Sequence, residues 1–197
     1  MSRVGHVIGN GDNAVRYKPS KGFKVTCNIP PFEVNNVYTT CLVDFKMMKA
    51  MTEGSVYIPG EWTLGYRPKV WMENNPAFHM KVAQQIKGFY IELPKYVSNY
   101  TDFNCGHMAT HYTANHLQCE EIHMYGFDSI FDFNLRSCTD MYLNSDRSLS
   151  NNNRLANNWR PVWGNLFNEF PNTEFIIHHE HSDIKIKLPK NVTVNTK

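Results

Sequence analysis

The sequence predicts a single α/β domain with a mostly parallel sheet flanked by helices. The β-branched and apolar start of the stretch Val4–Asn13 runs directly into the turn Gly9-Asn10-Gly11, as a strand does where it ends in a loop. A second strand, loop and helix arrangement follows at Phe103–Asp132 and includes the turn Gly126-Phe127-Asp128. Short strand-like segments also alternate with helical ones along the 197 residues, of which 42% are hydrophobic, enough for one core of this class.

The first half of the chain supplies most of the predicted strands. After the first strand, 12–19 is polar and reads as a short helix or turn, and the β-branched and aromatic residues that follow favour strands. We predict strands at Phe23–Asn28, Val37–Val43 and Ser55–Pro59, and a helix at Phe45–Thr52. The segment Gly60–Ala77 contains two tryptophans and has no clean hydrophobic period, which is typical of an irregular surface or a lid.

The second half alternates more regularly. We predict strands at Lys87–Leu93, Glu121–Tyr125 and Thr173–His178, and helices at Gly106–Leu117 and at 155–170, where apolar residues recur at helical spacing. The polar stretch Asn134–Asn153 is long for a loop, as expected of a segment that is either mobile or functional. The domain is therefore expected to span 1–188, with a lid at about 131–153 and a weakly ordered C-terminal tail at 189–197.

Composition narrows the class of function. A net charge of +2 with no run of lysines or arginines does not indicate nucleic acid as a partner, although it leaves room for a local basic groove. The five cysteines form no CxxC pair, which favours a reducing, cytoplasmic location. Without an apolar stretch of about 18 residues, no membrane span is expected, and a homo-oligomer is compatible with the sequence.

Polar and small residues follow several predicted strands. Gly9-Asn10-Gly11 follows the first strand and Asn28 the second, where Pro30 and Pro31 enforce a loop. The carboxyl ends of parallel strands meet at one sheet edge, where ligands of open α/β sheets bind. The sequence contains neither GxGxxG nor a P-loop motif, so a dinucleotide site or an NTPase is not indicated. The alternative is that Gly9-Asn10-Gly11 forms a tight turn that binds no ligand.

Another turn, Asn104-Cys105-Gly106, opens the predicted helix of the second unit. A helix N-terminus attracts anions, and Asp128 follows the next strand. The two units would therefore meet at a switch point of the sheet, with ligand-facing edges side by side.

Four short motifs in order resemble the bacterial sialyltransferases of glycosyltransferase family 42 and related Gly-Asn-Gly-containing glycosyltransferases. They are Gly9-Asn10-Gly11, Cys27-Asn28, Asn104-Cys105-Gly106 and Gly126-Phe127-Asp128. The resemblance covers about 4–129 by motif and the rest only by element order. It implies a Rossmann-like, GT-A-like sialyltransferase variant that binds a CMP-sugar and transfers the sugar with inversion to a hydroxylated acceptor, with no cofactor and no essential metal.

By this resemblance Asn10 and Asn28 hold the nucleotide, Asp44 occupies the place of another polar donor ligand, and Cys105-Gly106 replaces a Ser-Gly pair. The family's histidine base lies after the Gly-x-Asp motif, whereas 131–153 contains no histidine here. Glycosyl transfer nevertheless needs a group that accepts the acceptor's proton and groups that stabilise the leaving phosphate.

The candidate bases are Asp128, Asp44, His107 and His111. Each has an ordinary structural alternative, since Asp44 suits a helix cap and a histidine on a partly apolar helix is commonly packed in a core. The candidates for the leaving phosphate are the helix N-terminus at Gly106, Tyr142, and Arg147 or Arg136. The predicted donor-binding residues are Gly9, Asn10, Gly11, Asn28, Asn104, Cys105, Gly106, Tyr142 and Arg147.

The histidine-rich run 178–183 is interpreted as a solvated strand end and turn. Along a strand only His179 and His181 would share a face, and two ligands do not make a closed zinc site, so no metal site is predicted.

Three functions stay open. The first is a nucleotide-sugar glycosyltransferase acting on a glycan or a small hydroxylated molecule. The second is a related enzyme that modifies hydroxylated bases in viral DNA, which would need a basic and aromatic groove. That groove would comprise Arg136, Arg147, Arg154, Trp159 and Arg160. The third is a non-catalytic nucleotide or sugar binder of the same fold.

Overall fold

The computed structural model describes residues 2–132, 139, 143 and 153–197, and it confirms the α/β class. In this described part of the chain, eight parallel strands form one sheet in the order β5-β4-β3-β2-β1-β6-β7-β8. The strands are β1 Val4–Ile8, β2 Phe23–Cys27, β3 Val37–Leu42, β4 Trp62–Leu64, β5 Ile86–Phe89, β6 Glu121–Tyr125, β7 Glu174–His178 and β8 Val192–Asn195. This arrangement is consistent with a Rossmann-like fold.

Helices cover the sheet and close its core. They are α1 Phe45–Thr52, α2 Tyr66–Asn74, α3 Pro76–Val82, α4 Cys105–Asn115 and α5 Arg160–Glu169, the last preceded by a π-helical turn at Leu155–Trp159. Val7, Val25 and Ile122, on three adjacent strands, share one apolar cluster with Met108 of α4 and Trp163 of α5. The predicted strand residues are therefore buried beneath helices, as a parallel sheet requires.

The register brings the carboxyl ends of the central strands to one level. Ile8 of β1 pairs with Tyr125 of β6 on one side and with Thr26 of β2 on the other. The loops that leave β1, β2 and β6 therefore emerge side by side.

The prediction for 55–77 was wrong. Ser55–Pro59 is not a strand; β4 lies a few residues later, at Trp62–Leu64, and is followed by helices α2 and α3 where no regular structure was expected. Trp62 is 1% exposed, and its indole nitrogen donates to the Ile58 carbonyl at 3.1 Å. Long-range packing of this strand overrides the weak local pattern, and a three-residue strand is too short to show a period.

The C-terminal tail was also predicted wrongly, because 192–195 forms the edge strand β8. It pairs with β7 from Phe175↔Val192 to His178↔Asn195. The side-chain amide of Asn191 donates to the carbonyls of Phe167, Phe170 and Thr173, at 2.9–3.0 Å. These contacts join residues that are far apart in the sequence, so no local pattern predicts them. The domain therefore extends beyond residue 188.

The predicted lid at about 131–153 lies outside the described residues except at 131–132, 139, 143 and 153, and so do Tyr142, Arg147 and Arg136. Within the described ranges, no helix is long and apolar enough to cross a bilayer.

Candidate functional site

The sheet has its switch point between β1 and β6. From β1 the chain adds β2 to β5 on one side of the sheet and β6 to β8 on the other. Loops that leave the two strands at such a point diverge and leave a crevice beyond the strand ends.

A cavity of about 220 Å³ occupies this crevice. The structure places nine of the predicted site residues in its wall: Gly9, Asn10, Gly11, Asn28, Asp44, Asn104, Cys105, Gly106 and Asp128. Residues that are far apart in sequence thus meet at one place.

Close contact between two loops shapes the floor of the cavity. The amide of Gly9 donates to Tyr125 O at 2.7 Å, and the amide of Gly11 donates to Gly126 O at 3.0 Å. A Cβ atom on Gly9 would lie 2.7 Å from Gly126 O, and Gly126 has a φ of +76°. The glycines are therefore required for the approach of the two loops, whether or not a ligand binds.

Asn10 and Asn28, two of the three asparagines in the cavity wall, have different roles. The Asn10 amide nitrogen donates to Cys27 O at 2.8 Å and to Ile29 O at 2.6 Å, which ties the loop after β1 to the loop after β2. The Asn28 amide nitrogen donates to Asn10 Oδ1 at 3.3 Å, while Asn28 Oδ1 is buried with no partner among the described residues. Since a buried acceptor without a donor is costly, Asn28 is the asparagine with capacity for a ligand.

Asn28 also has an uncommon backbone conformation, with a φ of +51°. Asparagine tolerates the left-handed region better than most residues. The sequence pattern therefore coincides with a positive-φ residue in the structure. That pattern is an asparagine at a strand end before two prolines.

Cys105 and Gly106 begin α4 at the cavity wall. Cys105 is buried, and its thiol donates to Cys41 O at 2.9 Å. A side-chain contact with Cys27 and burial hold the pKa of Cys105 well above its ordinary value. The thiol is therefore neutral and serves packing, and the helix N-terminus is what this segment offers to an anion.

His107 does not act in the cavity. It is fully buried, its Nδ1 accepts from the Asn104 amide at 3.1 Å, and its Nε2 donates to Trp159 O at 3.0 Å. With Asn104 it forms a capping box. Desolvation lowers the pKa of His107 to about 3. Because neither ring nitrogen is free, we correct its role from candidate base to helix cap.

The two ring nitrogens of His111 are likewise engaged in hydrogen bonds within the protein. Its Nδ1 accepts from the Tyr90 hydroxyl at 2.7 Å, and its Nε2 donates to Glu169 at 3.1 Å. This network lines a separate surface cavity beside α5 and the loop after β5.

The two aspartates in the wall differ in environment. Asp128 is 9% exposed, and its carboxylate accepts from the backbone N–H of Asn13 at 3.4 Å. Desolvation raises the pKa of Asp128. Asp44 occupies the N-cap position of α1 but makes no capping bond with its side chain; instead it accepts from Arg67 at 3.1 Å. Asp44 thus forms an ion pair in place of the expected helix cap. Of the two aspartates, Asp128 is the buried one.

Arg160 holds the loop that carries the cavity residue Asp128, a role that the sequence did not suggest. It is 6% exposed, and its guanidinium donates to Ser129 O at 2.8 Å and to Asp132 O at 3.1 Å. The loop that carries Asp128 is therefore fastened to α5. No local pattern separates such an arginine from a surface one.

We expect Arg160→Met to lower the free energy of unfolding by about 2 kcal/mol, because two partly buried carbonyls lose a charged donor. Arg154→Met is the control: Arg154 pairs with Asp102 at 3.3 Å near the surface, and such pairs contribute about 1 kcal/mol or less. Urea denaturation measures both. Equal losses in the two variants would contradict the assigned role of Arg160.

The histidine-rich run was predicted to be solvated, and for His179 this was wrong: the residue is 1% exposed. It lies just beyond β7, and its ring stacks on Phe131 with 3.7 Å between ring centroids. The chain bends at Glu180, so the alternation of faces expected for a strand does not continue through 179–181.

Fold and site together define a doubly wound α/β protein with a small polar cavity at its switch point. Compared with protein-family models, with curated proteins and with solved structures, the chain gives no match.

Proposed function

We propose that the protein is a nucleotide-sugar-dependent glycosyltransferase that uses a CMP-sugar donor and transfers the sugar to an acceptor hydroxyl. The observation that carries the proposal is the cavity at the switch point, where the motifs that resemble the sialyltransferases meet in one wall. Open α/β folds bind nucleotides at this position.

The wall offers matching groups for the parts of a nucleotide. Asn28 Oδ1 would accept from an amino or hydroxyl group of the nucleoside, because it has no partner among the described residues. The start of α4 would face the phosphate. A cavity of about 220 Å³ is smaller than pockets that enclose whole ligands, so we expect it to hold one portion of the donor.

Asp128 is the base that the geometry favours. The acceptor oxygen would attack the anomeric carbon, the bond from that carbon to the phosphate oxygen would break, and the acceptor proton would pass to the Asp128 carboxylate. Burial raises the pKa of Asp128, which brings a carboxylate closer to the basicity that general-base catalysis needs. Asp44 is already paired with Arg67.

Calorimetry with CMP, UDP, GDP, AMP and S-adenosylmethionine tests the nucleotide site. We expect saturable binding of CMP that Asn28→Gly weakens by about tenfold, the loss of one hydrogen bond. Glycine keeps the positive φ without strain, so this variant removes only the side chain. Asn36→Gly is the matched control, because Asn36 has a φ of +56° in an exposed loop.

Three outcomes would count against the proposal. Silence across the panel would overturn nucleotide binding, and a preference for another nucleotide would overturn the CMP assignment. Binding of CMP without sugar transfer from a CMP-sugar to any hydroxylated acceptor tested would favour the non-catalytic binder.

The described part of the alternative nucleic-acid groove is engaged within the protein. Arg154 contacts Asp102 and lies over the ring of Trp159, whose indole nitrogen donates to Thr101 O at 3.1 Å. Arg160 is buried. These contacts do not favour a DNA acceptor over a small one.

A further inference from the structure

Four potential metal ligands converge beyond the ends of β6 and β7. Asp132 follows the turn after β6, while His179, Glu180 and His181 follow β7. One ligand atom from each lies within 4.8 Å of the others. Two adjacent parallel strands thus deliver these side chains to one point, beside the cavity at the switch point.

His179 has no hydrogen-bond partner for either ring nitrogen among the described residues, although the residue is 1% exposed. Its Nε2 lies 3.6 Å from Asp132 Oδ2, and its Nδ1 lies 3.8 Å from Asp128 Oδ1. Both separations are too long for hydrogen bonds. A buried imidazole that faces carboxylates on both sides without bonding to either calls for an explanation.

A cation between His179 and Asp132 explains the first separation. Two ligand atoms about 2.1 Å from a common tetrahedral ion lie roughly 3.4 Å apart, close to the 3.6 Å observed. His181 completes the arrangement, with its Nε2 at 3.2 Å from the same Asp132 oxygen. The Nε2 atoms of both histidines therefore lie near one Asp132 oxygen, and the two rings are nearly perpendicular, at 89°.

Asp128 accounts for the position of Nδ1, the other ring nitrogen of His179. A metal-bound histidine usually donates its second ring N–H to a carboxylate, which orients the ring and makes the ligating nitrogen more basic. Here Asp128 faces Nδ1 while Nε2 faces Asp132, and Phe131 stacks flat on the ring at an interplanar angle of 7°. The ring is thus held between a carboxylate and the cluster.

His181 needs one adjustment. Its Nδ1 accepts from the Asp183 amide at 3.2 Å in an exposed position, and coordination through Nε2 would move the ring proton to Nδ1. The solvent-exposed Asp183 amide can bond to water instead.

We propose that Asp132, His179, Glu180 and His181 form a binding site for a divalent transition-metal ion, with Asp128 as the partner of His179. Two imidazoles and two carboxylates suit Zn²⁺ and its neighbours in the first row better than Mg²⁺ or Ca²⁺, which prefer oxygen ligands alone. Glu180 is exposed and His181 and Asp132 are partly so, which leaves one side of the site open to water or to a substrate oxygen.

The proposed metal site shares Asp128 with the proposed glycosyltransferase site, but metal binding needs no nucleotide and can be measured separately from sugar transfer. The proposed site differs from the expectation of no metal site. The expectation assumed a continuing strand, whereas the chain bends at Glu180 and the missing ligand comes from Asp132, far away in sequence.

The test is a Zn²⁺ titration of the full chain after treatment with a chelator, followed by calorimetry and by competition with a chromogenic chelator. We expect one saturable site that Asp132→Asn and His181→Gln each weaken by about 100-fold. Both side chains are partly exposed, so these variants should fold. His116→Gln is the control, because His116 is exposed at the opposite end of α4.

Thermal unfolding supplies a second measurement, since a ligand that binds only the folded state stabilises it. Added Zn²⁺ should raise the melting temperature of the wild type and of His116→Gln but not that of the two cluster variants. Absence of saturable binding would overturn the proposal, as would binding that both cluster variants retain unchanged. Preference for Mg²⁺ over Zn²⁺ would overturn the choice of metal class.

Discussion

Gly9→Ala is expected to lower the free energy of unfolding by about 4 kcal/mol, a large share of the stability of a typical domain. The added methyl group would lie 2.7 Å from Gly126 O, and the nearest contacts are all backbone atoms of 125 and 126. Backbone cannot rotate away as a flexible side chain does, so the loops after β1 and β6 would have to separate. Their separation would break the bond from Gly9 N to Tyr125 O.

Gly164→Ala is the matched control for this substitution. Gly164 lies within α5, and a Cβ atom there meets none of the described residues within 4 Å. Alanine in a helix interior is favoured over glycine by roughly 0.5–1 kcal/mol, so this variant should be slightly more stable than the wild type. Urea denaturation compares the midpoints at unchanged slope. A loss in Gly9→Ala as small as the change in Gly164→Ala would show that the two loops yield easily.

Acid should destabilise the protein through His107. Desolvation lowers its pKa in the folded protein to about 3, against about 6.5 in an unfolded chain. Below pH 6.5 the unfolded state therefore binds a proton that the folded state excludes, so stability falls as the pH decreases from 6.5 towards 3. At pH 5 the loss from this residue is about 2 kcal/mol relative to pH 7.

His107→Gln isolates the contribution of this histidine. Glutamine at the third helical position can accept from the Asn104 amide and so preserves the capping box, but it does not titrate. The variant loses the bond to Trp159 O and is expected to be less stable at every pH, so the informative quantity is the difference between pH 7 and pH 5. We expect that difference to shrink by about 2 kcal/mol in the variant. An unchanged difference would contradict the assignment, because it would place the acid sensitivity in other groups, such as His6, His111 or His178, whose pKa values are also lowered.

Local patterns in the sequence predicted most of the central sheet. β1, β2, β3 and β6 were expected nearly at their observed bounds, as were α1 and α4, because these segments have strong β-branched content or a helical period. Glycine and asparagine at the strand ends also marked the cavity wall. Once the strands are parallel, geometry alone brings such turns to one edge.

The roles of individual side chains could not be predicted in the same way. On the sequence, His107 and Asp128 were both candidate bases. The folded chain buries both ring nitrogens of His107 in hydrogen bonds to backbone, while it leaves Asp128 in the cavity wall. Burial and hydrogen-bond partners decide such roles, and both depend on residues distant in sequence.

By itself, the sequence determined the α/β class, the glycine and asparagine turns and the sheet edge at which they lie, because strand content and turn chemistry are local properties. Only the tertiary structure decided that Trp62–Leu64 and Val192–Asn195 join the sheet, that Arg160 fastens a loop, and that Asp132 meets His179 and His181. The physical reason is that these features depend on long-range pairing and burial, to which no short stretch of sequence is sensitive.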